Sequence, residues 1–195
     1  PADLILVTDS PGHHLDIDAI QALSKQNTSI VIAENGLSKV PHGIVAKNGE
    51  ELKVSGVTVE AIAAYDIIIG APTHPKGDAN GYVLTLGGKK FFFAGVTECV
   101  AEVKALQGID VAFLPMNIPL GRMTPSAAAD CTKILNPAVV YTYHFDQDWA
   151  RRLANPDFGG SVLPGGLSVP ETLTAFEDAL SGTEIEFRRG NWYPN

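Results

Sequence analysis

Apolar residues run unbroken in some stretches of this chain and alternate with polar ones in others. DLILVT, from Asp3 to Thr8, is apolar between its polar ends and predicts a buried strand. SIVIA, from Ser29 to Ala33, predicts a second. Between them, Asp16 reads as the N-cap of a helix with Ile17, Ile20 and Leu23 on one face. ELKVSGVTVEAIAA alternates on either side of Ser55-Gly56, the pattern of a hairpin. GYVLTLGGKKFFFAG carries a stronger hairpin signal, two apolar runs joined at Gly87-Gly88.

The pattern then changes. Thr97 is expected to open a helix with Val100, Val103 and Leu106 inside, closed by Gly108. IDVAFLPM predicts a strand. Thr124-Pro125 is an N-cap followed by proline at the first helical position, and that helix is expected to stop at Asn136-Pro137. AVVYTYHF predicts another strand, ending on His144. Ser168 and Glu171 form a capping box for a last helix with Leu173, Phe176 and Leu180 inside, and EIEFRR reads as a closing edge strand. Hairpins first and strand–helix alternation afterwards predict sheets flanked by helices, an α/β or α+β layered fold. With 195 residues, no internal repeat and no long linker, one domain over residues 1–195 is expected. The longest irregular piece is NPDFGGSVLPGG, Asn155 to Gly166.

Composition narrows the function classes. The net charge of -8 disfavours nonspecific binding to phosphate backbones, so nucleic acid is not the expected partner. The pairs Arg151-Arg152 and Arg188-Arg189 are too small to reverse this. No apolar run reaches the length of a membrane span, and there is no signal-like start, so the default expectation is a cytoplasmic protein acting on a small molecule. Cys99 and Cys131 make neither a framework nor a CxxC pair, and each reads as a small buried residue.

Polar residues collect at the predicted strand ends, where open sheets place ligands and catalytic groups. The first strand delivers Asp9, His13 and His14; THPKGDANGY brings His74 and Asp78; KKFFFAG leads into Val96, Thr97 and Glu98; and AVVYTYHF ends at His144. Imidazoles are the commonest zinc ligands, and histidines far apart in sequence but all at strand ends are a plausible convergent set. His42, after Pro41, reads as a loop residue.

The order VTDSPGHHLD, then HPKGDANGYVLTLGGKKFFFAGVTE, then FLPMNIP with MTPSAAA, then YTYHF resembles the metallo-β-lactamase fold hydrolases, and within them the branch that includes the ascorbate-lactonase-like proteins. The resemblance implies an αββα sandwich. It also implies that strands which open the family fold are missing before Pro1, leaving homo-oligomer formation, or association with such an N-terminal segment, open. The family's first metal motif, H-x-H-x-D-H, falls on Asp9, Pro11, His13 and His14, so only His14 matches. The third histidine of the family falls on His74, the bridging aspartate on Val96, and the last histidine on His144.

A bridging carboxylate neutralises two cations and holds them together; valine offers neither charge nor lone pair. The resemblance therefore implies a reduced zinc site with one ion rather than two, built from His13, His14 and His144, with His74 or Asp9 joining. His14 and His144 are the residues expected to carry catalysis. The implied activity is hydrolysis of a small ester, lactone or phosphodiester by a zinc-held hydroxide. The alternative is a catalytically inactive, metal-free binding or structural protein on the same fold, and the minor alternative is a nuclease of the same superfamily.

Overall fold

A computed structural model describes residues 1–68, 74–118, 121–146 and 168–190. The chain divides into two compact units, Pro1–Val103 and Lys104–Asn195. They coincide with the hairpin-rich and the strand–helix parts of the sequence.

The first unit contains two sheets. Strands β1 (Leu4–Leu6), β2 (Ser29–Ile32) and β3 (Ile44–Val45) are parallel in that order, with Leu6 beside Val31 and Val31 beside Ile44. Strands β4 (Glu51–Val54), β5 (Val57–Ala64), β6 (Ala79–Leu86) and β7 (Lys89–Phe93) form an antiparallel meander. Both expected hairpins are present. Ser55 and Gly56 have φ of 49° and 79°, and Gly87 and Gly88 have 59° and 76°. Two successive left-handed residues match the twist of the flanking strands, which is why the turn residues are glycine-rich.

The period-2 alternation of β2 explains the layering. Ile30 and Ile32 pack with Val7, Leu15 and Val40, and against Ile17 and Ile20 of helix α1 (Ile17–Leu23). Val31 faces the other way and packs with Val59, Ala61 and Tyr82 of the meander. One strand thus serves a helix–sheet layer on one face and a sheet–sheet layer on the other. Asp16 caps α1 as expected, accepting from the N–H groups of Asp18 and Ala19. Leu23, expected on the inner face, is 54% exposed. β1 is shorter than the sequence suggested and only half-buried, although Val7 continues its pairing by donating to the Val31 carbonyl.

The helix expected to start at Thr97 is a single turn, α2 (Ala101–Lys104). The Thr97 hydroxyl is committed elsewhere: it accepts from the Tyr65 N–H and so does not cap a helix. Val100 and Val103 are buried as expected.

In the second unit, β9 (Val139–Tyr143) lies between β8 (Val111–Pro115) and β10 (Glu186–Arg188), all parallel. Helices α3 (Pro125–Leu135) and α4 (Val169–Ala179) connect them and pack on each other. Thr124 caps α3, Asn136 ends it at φ 46°, and Ser168 with Glu171 forms the capping box of α4. The Phe176 ring, fully buried, meets Phe187 of β10 edge-on. Cys131 is buried as expected and Cys99 half-buried, and neither is a free thiol. The Asn155 to Gly166 piece lies outside the described residues. Among those residues, no helix is long and apolar enough to cross a membrane.

Candidate metal centre

The segment after β1 is held in place before any ligand is considered. Tyr82 is fully buried and its hydroxyl donates to the Val7 carbonyl at 2.8 Å. The Asn80 N–H donates to the Thr8 carbonyl at 2.8 Å. Gly95 closes the same junction. Its φ is 68°, and a Cβ there would stand 2.9 Å from the Asn80 oxygen and 3.2 Å from Thr8 Cβ. Beyond Asp9, the Pro11 carbonyl accepts from the N–H groups of His14 and Leu15, both at 2.8 Å. The residue that replaces a family ligand therefore starts a tight turn. Leu15, 2% exposed, anchors the far end in the core.

This frame brings Asp9, His14 and His74 together, each offering one ligand atom within 4.8 Å of the others. Asp9 is buried, and its Oδ1 accepts the Ser10 N–H at 2.7 Å. That leaves Oδ2, which stands 3.5 Å from His14 Nδ1 and 3.3 Å from His74 Nε2. His74 has its other nitrogen occupied: Nδ1 meets Asp66 Oδ2 at 3.3 Å. The two imidazoles lie nearly parallel, 7° apart, with centroids 6.3 Å apart.

The close contacts lack hydrogen-bond alignment. Asp9 Oδ2 and His14 Nδ1 are buried without a hydrogen-bond partner. Buried polar atoms are normally paired, and an orphaned carboxylate oxygen facing an orphaned imidazole nitrogen calls for an explanation. A cation supplies it. Tetrahedral zinc with bonds of about 2.0–2.1 Å spaces its ligand atoms about 3.3–3.4 Å apart. The two carboxylate–imidazole spacings agree with that edge length, and one carboxylate with two imidazoles is a sound donor set for a divalent ion.

Electrostatics reinforce the grouping. Burial opposes ionisation of Asp9, yet His14, His74 and the Ser10 N–H outweigh it and hold the carboxyl far below the usual carboxylate range. The Asp9 carboxylate raises His74 above the ordinary imidazole value, against burial and with help from Asp66. Partial desolvation against the neighbouring residues, and then the charge of His14, push His13 down although its side chain is largely exposed.

The remaining expected residues are placed differently. His13 is exposed and outside the three-residue group, its ring edge-on to His14 at 4.3 Å. His144 follows β9 in the second unit with φ 72°, a left-handed backbone that costs a non-glycine residue energy. Val96 is 5% exposed. Sequence reasoning missed Asp66. Its signal was an acidic residue just past the buried run EAIAAY, eight positions before His74.

The model of the Beta-lactamase superfamily domain matches residues 1–145. The chain belongs to the beta-lactamase superfamily. It is 30% identical over 167 residues to the UPF0173 metal-dependent hydrolase of Thermococcus onnurineus (strain NA1), covering 80% of this chain and 72% of the relative. It is 29% identical over 185 residues to a UPF0173 metal-dependent hydrolase of Bacillus velezensis, covering 85% and 77%. Among solved structures, a Parabacteroides distasonis ATCC 8503 protein named as a metal-dependent hydrolase shares 36% identity. Its TM-score is 0.78, over 96% of this chain and 76% of that one. Igni18 of Ignicoccus hospitalis, described as a metallo hydrolase, aligns with a TM-score of 0.68 at 21% identity, over 97% of this chain and 76% of that one, and shows the shared fold. The fold class expected from the sequence, α/β of the metallo-β-lactamase type, is the one these likenesses show.

Proposed function

We propose that this protein is a hydrolase working with one divalent cation, zinc foremost, held by Asp9, His14 and His74. One observation carries the reading: Asp9 Oδ2 lies 3.5 Å from His14 Nδ1 and 3.3 Å from His74 Nε2, and Asp9 Oδ2 and His14 Nδ1 are buried without a hydrogen-bond partner. Catalytic roles are proposed for His14 and for His144. The support for His144 is its match to the family's last histidine and its strained backbone. His13, exposed beside His14, is proposed at the entrance rather than in the ligand set.

When bound, the cation would supply Lewis acidity and a more acidic water. The chain's own residues do the rest. Asp9 brings one negative charge, kept ionised by its neighbours. His74 presents Nε2 while Asp66 occupies Nδ1. The Pro11 turn holds His14 Nδ1 on the same side as Asp9 Oδ2. The proposed substrate is a small ester, lactone or phosphodiester, since the -8 net charge would repel a polyanion.

Pro11 and the buried Val96 favour a second reading, a metal-free relative that keeps the fold without the chemistry. A panel of lactones, esters and phosphodiesters separates the two. Hydrolysis that a chelator abolishes and zinc restores supports the first. No turnover of any panel member by the zinc-treated protein supports the second.

A further inference from the structure

We infer that Asp66 is a positioning residue that fixes which nitrogen of His74 faces the centre, and that Thr97 and Glu98 hold Asp66 in place. The inference rests on the proposed metal reading only for its consequence in affinity.

Asp66 and His74 are joined by three contacts. The Asp66 N–H donates to the His74 carbonyl at 2.9 Å. The His74 N–H donates to Asp66 Oδ2 at 3.2 Å, and His74 Nδ1 lies 3.3 Å from the same oxygen. The Asp66 side chain is fully buried. Both ring nitrogens face a carboxylate oxygen at 3.3 Å, but only the Nδ1–Asp66 Oδ2 contact is aligned as a hydrogen bond, and that alignment favours a neutral His74 with its proton on Nδ1. Nε2 is then left with a lone pair, and Nε2 is the atom that faces Asp9 Oδ2 at 3.3 Å. An imidazole free to choose its tautomer would present a proton there part of the time, and a cation cannot bind a protonated nitrogen.

Asp66 needs its own support, and the segment after β7 provides it. Glu98 Oε2 accepts the N–H groups of Ile67 at 2.6 Å and Ile68 at 2.8 Å. The Glu98 N–H donates to the Tyr65 carbonyl, and the Thr97 hydroxyl accepts the Tyr65 N–H at 3.0 Å. The backbone on both sides of Asp66 is thereby pinned by two consecutive residues. In the family pattern this segment follows the bridging aspartate. Here Val96 has no ligand to offer, and Thr97-Glu98 serve the centre indirectly, through Asp66 and then His74.

The test uses the full chain labelled with 15N-histidine at about pH 9, above the imidazole range. Two-bond 1H–15N correlations report the tautomer of His74 without any metal, and zinc competition against a chromophoric chelator reports affinity. The wild type should show His74 protonated on Nδ1. Asp66→Ala should mix the tautomers and weaken zinc by roughly 10- to 100-fold. Asp66→Asn, which keeps an oxygen acceptor, should restore the wild-type tautomer. A wild-type His74 signature in Asp66→Ala would overturn the inference. Should that variant fail to fold, Glu98→Ala decides: mixed tautomers support the inference, and an unchanged spectrum overturns it. If the wild type binds no zinc, the metal reading falls, while the tautomer measurement still decides the role of Asp66.

Discussion

Oδ2 of Asp9 lies 3.3 Å from Nε2 of His74, with each side chain's other polar atom already engaged. The sign of the pH dependence follows. His74 is raised above its unfolded value, first by Asp9, so its contribution is complete below about pH 6.5 and is lost as pH rises through the raised folded value. Asp9 is lowered: burial opposes ionisation but His14, His74 and Ser10 prevail. Its contribution is present above about pH 4 and is lost as pH falls. The metal-free protein should therefore draw most from this pair between about pH 4 and about pH 6.5. Zinc must displace the His74 proton, so its protection should grow as pH rises. Thermal melting with and without zinc, at pH values on either side of that window, measures both. A zinc shift that shrinks from about pH 6 to about pH 8 would count against the pairing.

Tyr82→Phe tests the frame behind Asp9. The variant keeps the ring in its buried place but leaves the Val7 carbonyl without its 2.8 Å donor. The expected cost is about 1–2 kcal/mol, a drop of a few degrees in Tm. Zinc affinity should fall with it, because Val7 and Thr8 lead directly into Asp9. Equal stability and equal affinity would mean that the hydroxyl contributes nothing to the frame.

Val96→Asp tests the departure from the family. Val96 is 5% exposed, so an unpaired carboxylate there should cost several kcal/mol. If position 96 faces the centre, zinc should recover that loss and the zinc stoichiometry should rise. A variant that melts like the parent and ignores zinc would show that Val96 does not stand where the family has its bridging aspartate.

The local elements were the legible part of this sequence. Asp16, Ser55-Gly56, Gly87-Gly88, Thr124-Pro125 and Ser168 with Glu171 signal caps and turns whose chemistry lies within a few residues, and each sits where its pattern placed it. Thr97 misled because its hydroxyl has a partner 32 positions away, at Tyr65, which no local pattern records. The candidate site divides the same way. His14, His74 and Asp9 are visible as polar residues at strand ends. Their grouping without His13 follows from the turn that Pro11 begins, which leaves His13 exposed while His14 faces Asp9. Asp66 was hidden because its importance comes only from lying against His74.

Metal content tests the Asp9–His14–His74 centre most directly. Purified protein, loaded with zinc and dialysed, should retain about one ion per chain by elemental analysis. Asp9→Ala and His74→Ala should each lose it while keeping the wild-type circular dichroism spectrum. Two tightly held ions per chain, none at all, or one ion that survives both substitutions would contradict the centre formed by Asp9, His14 and His74.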